Sequence, residues 1–363
     1  MEGMFKDLHK NDPGGDQLSE HEIRRAVRSV TRLRRFGRKA VATATIMMTP
    51  FMYLQSDIVL TNIISPDTTA QIHEIAEAPE GDNSGLETVF IDGFGSVNGS
   101  YFASRLTPAI EAAAGGSVSA IEYGNRSINY DKIAEQIVES YHENNKQRLA
   151  LYGYSIGGRI ALHVAVILKE KYGIDVETIY LDHTPIDAKS VRASQRSKAQ
   201  LVLSGIEAFD KIGINIEGST TARFLADRAF RDLSYSDATT SLMVDQYFVT
   251  LRNDAEDLFK KIGDLNGPKT TIVYLTSANE KSDYMVNDTR SRKLATKYAA
   301  ANSLPSAVWW VKDAMHSRPD LTVDQYVDAT KGGKDELSAL HEESNQLYRL
   351  GHGVVTYLVH LSY

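Results

Sequence analysis

Hydrophobic and polar positions along the chain follow two different periods, and the change from one to the other divides it. Near the start, Ile23, Val27, Val30 and Leu33 recur at helical spacing behind a capping box, Ser19 with Glu22 three residues later. A basic amphipathic helix is therefore expected before residue 40. An uncharged run follows from Ala40 to Ser56 and extends to Ile64 with Asp57 as its single charge. Residues 65–85, with Pro66, Pro79, Gly81, Asp82 and Gly85, read as a linker. Beyond it, short runs rich in Val, Ile and Tyr alternate with longer helical patterns. The runs are Thr88 to Ile91, Val118 to Tyr123, Leu149 to Tyr152, Thr178 to Leu181, Thr271 to Leu275 and Ala307 to Val311. Strands separated by helices predict right-handed crossovers and a mostly parallel sheet with helices on both faces, an α/β fold.

About ninety residues separate the fourth and fifth of these runs, far more than one crossover helix needs. An insertion is expected at about 186–266. Amphipathic stretches around Leu201 to Phe209, Ala222 to Phe230 and Tyr247 to Ile262 make it helical.

The composition narrows the chemistry. A chain of 363 residues has room for one large α/β domain plus an appendage, or for two ordinary domains, and the absence of cysteine excludes disulfides and every thiol mechanism. A net charge of -7 argues against nucleic acid as a partner of the whole protein. The exception is local: Arg24, Arg25, Arg28, Arg32, Arg34, Arg35, Arg38 and Lys39 crowd into one stretch. No aromatic residues interleave there to stack on bases, so an anionic leaflet suits it better than nucleic acid. Residues 1–39 then read as a cytoplasmic basic segment and residues 40–64 as an uncleaved membrane anchor, with the rest of the chain extracytoplasmic. The competing reading is a helix that packs on the protein or lies on a membrane surface.

The chemistry centres on Gly153-Tyr154-Ser155-Ile156-Gly157. The apolar strand Leu149 to Tyr152 runs directly into this motif, and Arg159 to Ala165 continues as a helix. Strand, Gly-x-Ser-x-Gly, helix is a nucleophile elbow: a strained turn lifts the serine hydroxyl above the sheet edge, and small flanking residues let the backbone close. The helix also aims its positive dipole end at the serine. His316 lies just past the last strand, at the carboxyl edge where parallel sheets carry their sites. There its imidazole can take the Ser155 proton and return it to a leaving group.

On these residues the chain, from 86 to about 330, resembles the α/β-hydrolase superfamily. The resemblance implies a Ser-acid-His order and an acid after the strand Thr271 to Leu275. Asp283, followed by Val286, fits that place, and Glu280 is the alternative acid. By similarity, the backbone amides of Phe94 and Ile156 form the oxyanion hole. Asp92, in Asp92-Gly93-Phe94-Gly95, stands where histidine is common. The insertion becomes a lid over a hydrophobic or acyl-bearing ester, and residues 86–363 become one hydrolase domain.

The expected activity is ester cleavage through an acyl-enzyme; the alternatives are a catalytically inactive membrane-anchored binding protein, or an acyltransferase or peptidase using the same triad. No cofactor or metal is expected, because no H-E-x-x-H spacing occurs and Gly93-Phe94-Gly95 lacks the third glycine of a dinucleotide loop. Of the other histidines, His163 reads as core or rim and His183 as pocket lining. Asp182 is a reserve acid, and His352 is the rival to His316.

Overall fold

The computed structural model describes residues 70–124, 127–197, 240–278, 283, 285–312, 314, 319 and 322–333. All six expected runs form strands: β2 (Leu86–Ile91), β3 (Ser117–Glu122), β4 (Arg148–Tyr154), β5 (Thr178–Asp182), β6 (Thr271–Ser277) and β7 (Ser306–Val311). A further strand, β1 (Gln71–Ala76), lies within the stretch that reads as linker. Its apolar residues, Ile72 and Ile75, lack the alternation of a half-buried strand. Pairing with β3 supplies what the local pattern does not. The sheet order is β1-β3-β2-β4-β5-β6-β7, with β1 antiparallel to β3 and the other pairings parallel.

Burial follows from that order. The central strand β2 is buried at every position, as a parallel strand covered on both faces must be, whereas the edge strand β1 is half-exposed throughout. One face of the sheet carries a ladder of rings: Phe90 on Tyr152 and Tyr152 on Tyr180 at 5.6 Å each, then Tyr180 to Trp309 at 5.7 Å. The helix α1 (Ser100–Ala113) covers this face through Ala103, Leu106 and Ile110, and a helical segment at 323–333 adds Tyr326 and Ala329.

The opposite face is covered by α2 (Tyr130–Glu143), α3 (Gly157–Tyr172), α5 (Ala255–Asn266) and α6 (Asp288–Ala301). Asn129 caps α2 by accepting the Lys132 N–H at 3.1 Å, and Asn287 caps α6 through Arg290 at 3.1 Å. Gly173, at φ 71, ends α3 in the left-handed conformation.

Of the insertion, residues 198–239 lie outside the described residues, so two of its expected amphipathic stretches do too. The third proves to be two helices, α4 (Thr240–Leu251) and α5, separated at Arg252 to Asp254. Among the described residues, no helix is long and apolar enough to cross a membrane. The segment at 40–64 lies outside them.

The crossovers from β2 and from β4 leave in opposite directions, the first toward β3 and the second toward β5. The crevice at the carboxyl ends of β2 and β4 is thus the topological switch point, where open α/β sheets bind ligands. Asp92 to Gly95 emerge from β2 on one side of it and Ser155 from β4 on the other.

Candidate active site

Ser155 sits between β4 and α3 with φ at 54°, a left-handed conformation that costs a residue with a side chain about 1–2 kcal/mol. Its neighbours explain how the turn closes. A side chain on Gly153 would place its Cβ 2.3 Å from Gly158 Cα, and one on Gly157 would stand 2.0 Å from the Ile91 carbonyl oxygen. Both flanking positions therefore require glycine, because helix start and strand end touch through bare backbone. The Ser155 N–H donates to the Asp182 carbonyl at 2.8 Å, tying the elbow to the end of β5. No side chain caps the start of α3; the amides of Gly158 and Arg159 donate instead to the carbonyls of Ser155 at 3.1 Å and Ile156 at 2.9 Å.

Across the crevice, a Cβ on Gly93 would lie 2.8 Å from Ser155 Cβ and 3.5 Å from its Oγ. The loop after β2 therefore passes directly over the nucleophile candidate. Its amides are allotted in order. Gly93 N–H donates to its neighbour Asp92 Oδ1 at 2.6 Å, and Gly95 N–H donates to Gln246 Oε1 at 2.8 Å. Phe94, the expected oxyanion donor of this loop, lies between these two glycines. Asp92 is buried, and its carbonyl accepts the Tyr123 hydroxyl at 2.5 Å.

The loop that carries the acid candidate is strapped down. Asp283 is fully buried, and its Oδ1 accepts the amides of Met285 and Val286 at 2.8 Å each. Arg192 donates to the Asp283 carbonyl at 2.6 Å, Arg192 N–H to Met285 O at 2.9 Å, and Asn287 N–H to Ser190 O at 2.7 Å. Arg290 pairs with Asp187 beside this strap.

Behind the nucleophile lies an ionic network that the sequence did not reveal. His183, also left-handed at φ 48, has its Nδ1 2.5 Å from Asp182 Oδ1 and its Nε2 3.4 Å from Asp288 Oδ2. Burial works against an imidazolium there, but Asp288, Asp182 and Asp283 outweigh it and push the group up to about 10. Asp182 also accepts the Tyr152 hydroxyl at 2.7 Å and that of Tyr326 at 3.2 Å. Burial and then Asp182, Asp283, Asp92 and Asp288 hold the Tyr154 hydroxyl well above its ordinary range, so four carboxylates surround the residue before Ser155.

His183, Asp283 and Asp288 bring one ligand-type atom each within 4.8 Å of one another. Backbone amides already occupy Asp283, through Met285 and Val286, and Asp288, which accepts Ser277 N–H at 3.1 Å. An imidazolium held by carboxylates describes this cluster better than a metal cradle does.

The structure places Ser155, Phe94 and Ile156 at one edge of the sheet and Asp283 after β6. His316 and Glu280 lie outside the described residues, as does His352. Asp182 has both oxygens engaged by Tyr152, Tyr326 and His183, which makes it a buried anchor and no reserve acid. His183 is buried in that network and lines no pocket surface. His163 stacks on Tyr130 at 4.4 Å and lies 3.1 Å from Asp254, a contact within the helical layer.

Gln246 was missed altogether. Its signal was available: it lies four residues after Leu242 and three before Val249, on the buried stripe of α4, where a polar residue must find partners.

A family model described as an α/β-hydrolase fold matches residues 128–278, which include the elbow. A carboxyl esterase from Bacillus coagulans, solved with glycerol, aligns at 12% identity over 76% of this chain and 99% of its own, with a TM-score of 0.47. MenH from S. aureus aligns at 14% identity over 75% and 99%, with a TM-score of 0.46. A lipase-esterase related protein from Clostridium acetobutylicum aligns at 13% identity over 75% and 99%, with a TM-score of 0.45. No curated protein sequence matches significantly.

Proposed function

We propose that this chain, a member of the α/β-hydrolase superfamily, is a serine hydrolase that cleaves an ester bond through an acyl-enzyme. The observation that carries the reading is the backbone of Ser155: a left-handed serine at the switch point, with the Gly93 loop against its Cβ. Strain of this kind persists where surrounding structure enforces it, and such positions cluster at sites of function.

In the proposed reaction, His316 takes the proton from Ser155 Oγ as the oxygen attacks the substrate carbonyl carbon. The Phe94 and Ile156 amides receive the developing oxyanion, which is where fixed dipoles contribute most to the rate. The tetrahedral intermediate expels the alcohol, to which His316 returns the proton. Water, activated by the same imidazole, then attacks the acyl-enzyme and releases the acid. Asp283 holds the imidazole in its tautomer and faces its charge. The two amides on Asp283 Oδ1 hold its carboxyl in place and support Asp283 in that role, with Glu280 as the alternative acid.

A hydrophobic acyl group is the proposed substrate feature. The edge-to-face pair of Phe94 and Tyr247, with centroids 5.4 Å apart, supports it on the loop side. The sequence of the Arg-rich segment and of residues 40–64 supports membrane attachment of this hydrolase, with its catalytic domain extracytoplasmic. Hydrolysis of p-nitrophenyl esters of increasing chain length, by wild type and by Ser155→Ala, tests the activity. Equal rates from the two proteins would remove the serine hydrolase reading.

A further inference from the structure

We propose that Gln246 is a positioning residue for the oxyanion site, holding the Gly93 to Ser96 loop in register from the insertion helix α4. The inference rests on the serine hydrolase reading above and assigns a role in it to a residue outside the Ser-His-acid set.

The geometry is specific. Gln246 is fully buried, and its one side-chain amide serves both hydrogen-bonding senses of the loop. Oε1 accepts the Gly95 N–H at 2.8 Å, while Nε2 donates to the carbonyls of Ser96 at 3.0 Å and Gly93 at 3.3 Å. The loop needs such a clamp. It has no strand pairing here, Gly95 is left-handed at φ 84, and buried backbone groups must find partners. Phe94, whose amide is the proposed donor, lies between the two glycines that Gln246 grips.

Neighbouring residues fix the helix that makes the grip. Asp245 accepts the Ile128 N–H at 2.6 Å. Tyr247 packs edge-on against Phe94 and donates its hydroxyl to the Gln195 carbonyl at 3.0 Å. Three consecutive side chains thus pin α4 to the loop before α2, to the oxyanion loop and to the segment after β5. Helix α4 of the insertion is tied directly to the proposed oxyanion loop. Because an oxyanion hole acts by preorganisation, a loop free to move loses transition-state stabilisation more than substrate affinity.

Two substitutions test this in the full chain. Gln246→Leu keeps the volume and removes every bond. Gln246→Glu keeps the shape and the acceptor for Gly95, but as a carboxylate it turns an anion toward two carbonyls; protonated, it again donates. The expected results on a p-nitrophenyl ester are a kcat reduced roughly tenfold or more in Gln246→Leu with KM within about threefold. Gln246→Glu is expected to be impaired at pH 8, with its rate relative to wild type rising as pH falls.

Hydrogen exchange reads the clamp without catalysis: the Gly95 amide exchanges faster in Gln246→Leu while amides of β4 are unchanged. Wild-type kcat in both variants, or kcat and KM moving together with no pH dependence in the Glu variant, overturns the proposal. Unchanged Gly95 exchange overturns it as well, and so does misfolding of Gln246→Leu alongside a Gln246→Glu that matches wild type at every pH. A wild type no faster than Ser155→Ala instead overturns the hydrolase reading, while accelerated Gly95 exchange would still establish the clamp.

Discussion

Adding one methyl group at Gly157 is predicted to disable the site with little loss of fold. The new Cβ would stand 2.0 Å from the Ile91 carbonyl oxygen and 2.7 Å from that of Asp92, where ordinary contact begins near 3.4 Å. The deficit of about 1.4 Å has to be taken up by backbone, because no flexible side chain lies in the way. Either the start of α3 retreats or the end of β2 does, and both carry the proposed oxyanion amides. Displacement by about 1 Å is enough for a hundredfold loss when the reacting geometry depends on it, whereas overpacking costs about 1–3 kcal/mol of stability.

Gly173→Ala supplies the control: it has no neighbour within 4 Å but carries φ +71, so it should cost about 1 kcal/mol and leave activity intact. Steady-state kinetics on a p-nitrophenyl ester, with urea unfolding of each variant, separates the two effects. Gly157→Ala with wild-type kcat/KM would refute the claim that bare backbone contact sets the elbow.

Three further outcomes follow from the same geometry. Asp283→Asn is expected to lower kcat on the order of 10³–10⁴-fold, while Glu280→Gln stays near wild type; the reverse ranking in ester kinetics would move the acid to Glu280. His183→Gln removes a cation from among buried carboxylates and should cost roughly 3–5 kcal/mol at pH 6 by urea unfolding. The folded imidazole is pushed up to about 10 from an ordinary 6.5. Its contribution is therefore complete below pH 6.5, declines above it and is lost as pH rises through about 10, where the variant and wild type should converge. A gap that persists or widens at high pH would mean that the imidazole is neutral in the fold. Finally, the full chain should pellet with membranes and a chain beginning at residue 66, which keeps β1, should not; equal behaviour of the two would sink the anchor.

The α/β class was legible because β2, β4, β5 and β6 are buried on both faces, and continuous apolar runs between helical periods are what parallel strands under two helical layers require. Strand β1 was hidden for the opposite reason. An edge strand with two isoleucines set among prolines and glycines owes its conformation to β3, and such pairing leaves little local signal. At the site, the elbow was readable since its glycines answer a local steric demand, visible at Gly153 and Gly157. The roles of Gln246 and His183 were not: a polar residue on a buried stripe signals that partners are needed, not which ones. Their partners lie on other elements, and only the folded chain brings Gly95 to α4 or Asp288 to the end of β5.

The central claim is that Ser155 is the nucleophile, and the most direct measurement is the site of covalent labelling. Incubation of the full chain with a fluorophosphonate, followed by peptide mass spectrometry, should find one adduct, on the peptide containing Ser155, and none in Ser155→Ala. Absence of that adduct from folded wild-type protein, or equal labelling of the Ser155→Ala variant, would contradict the account.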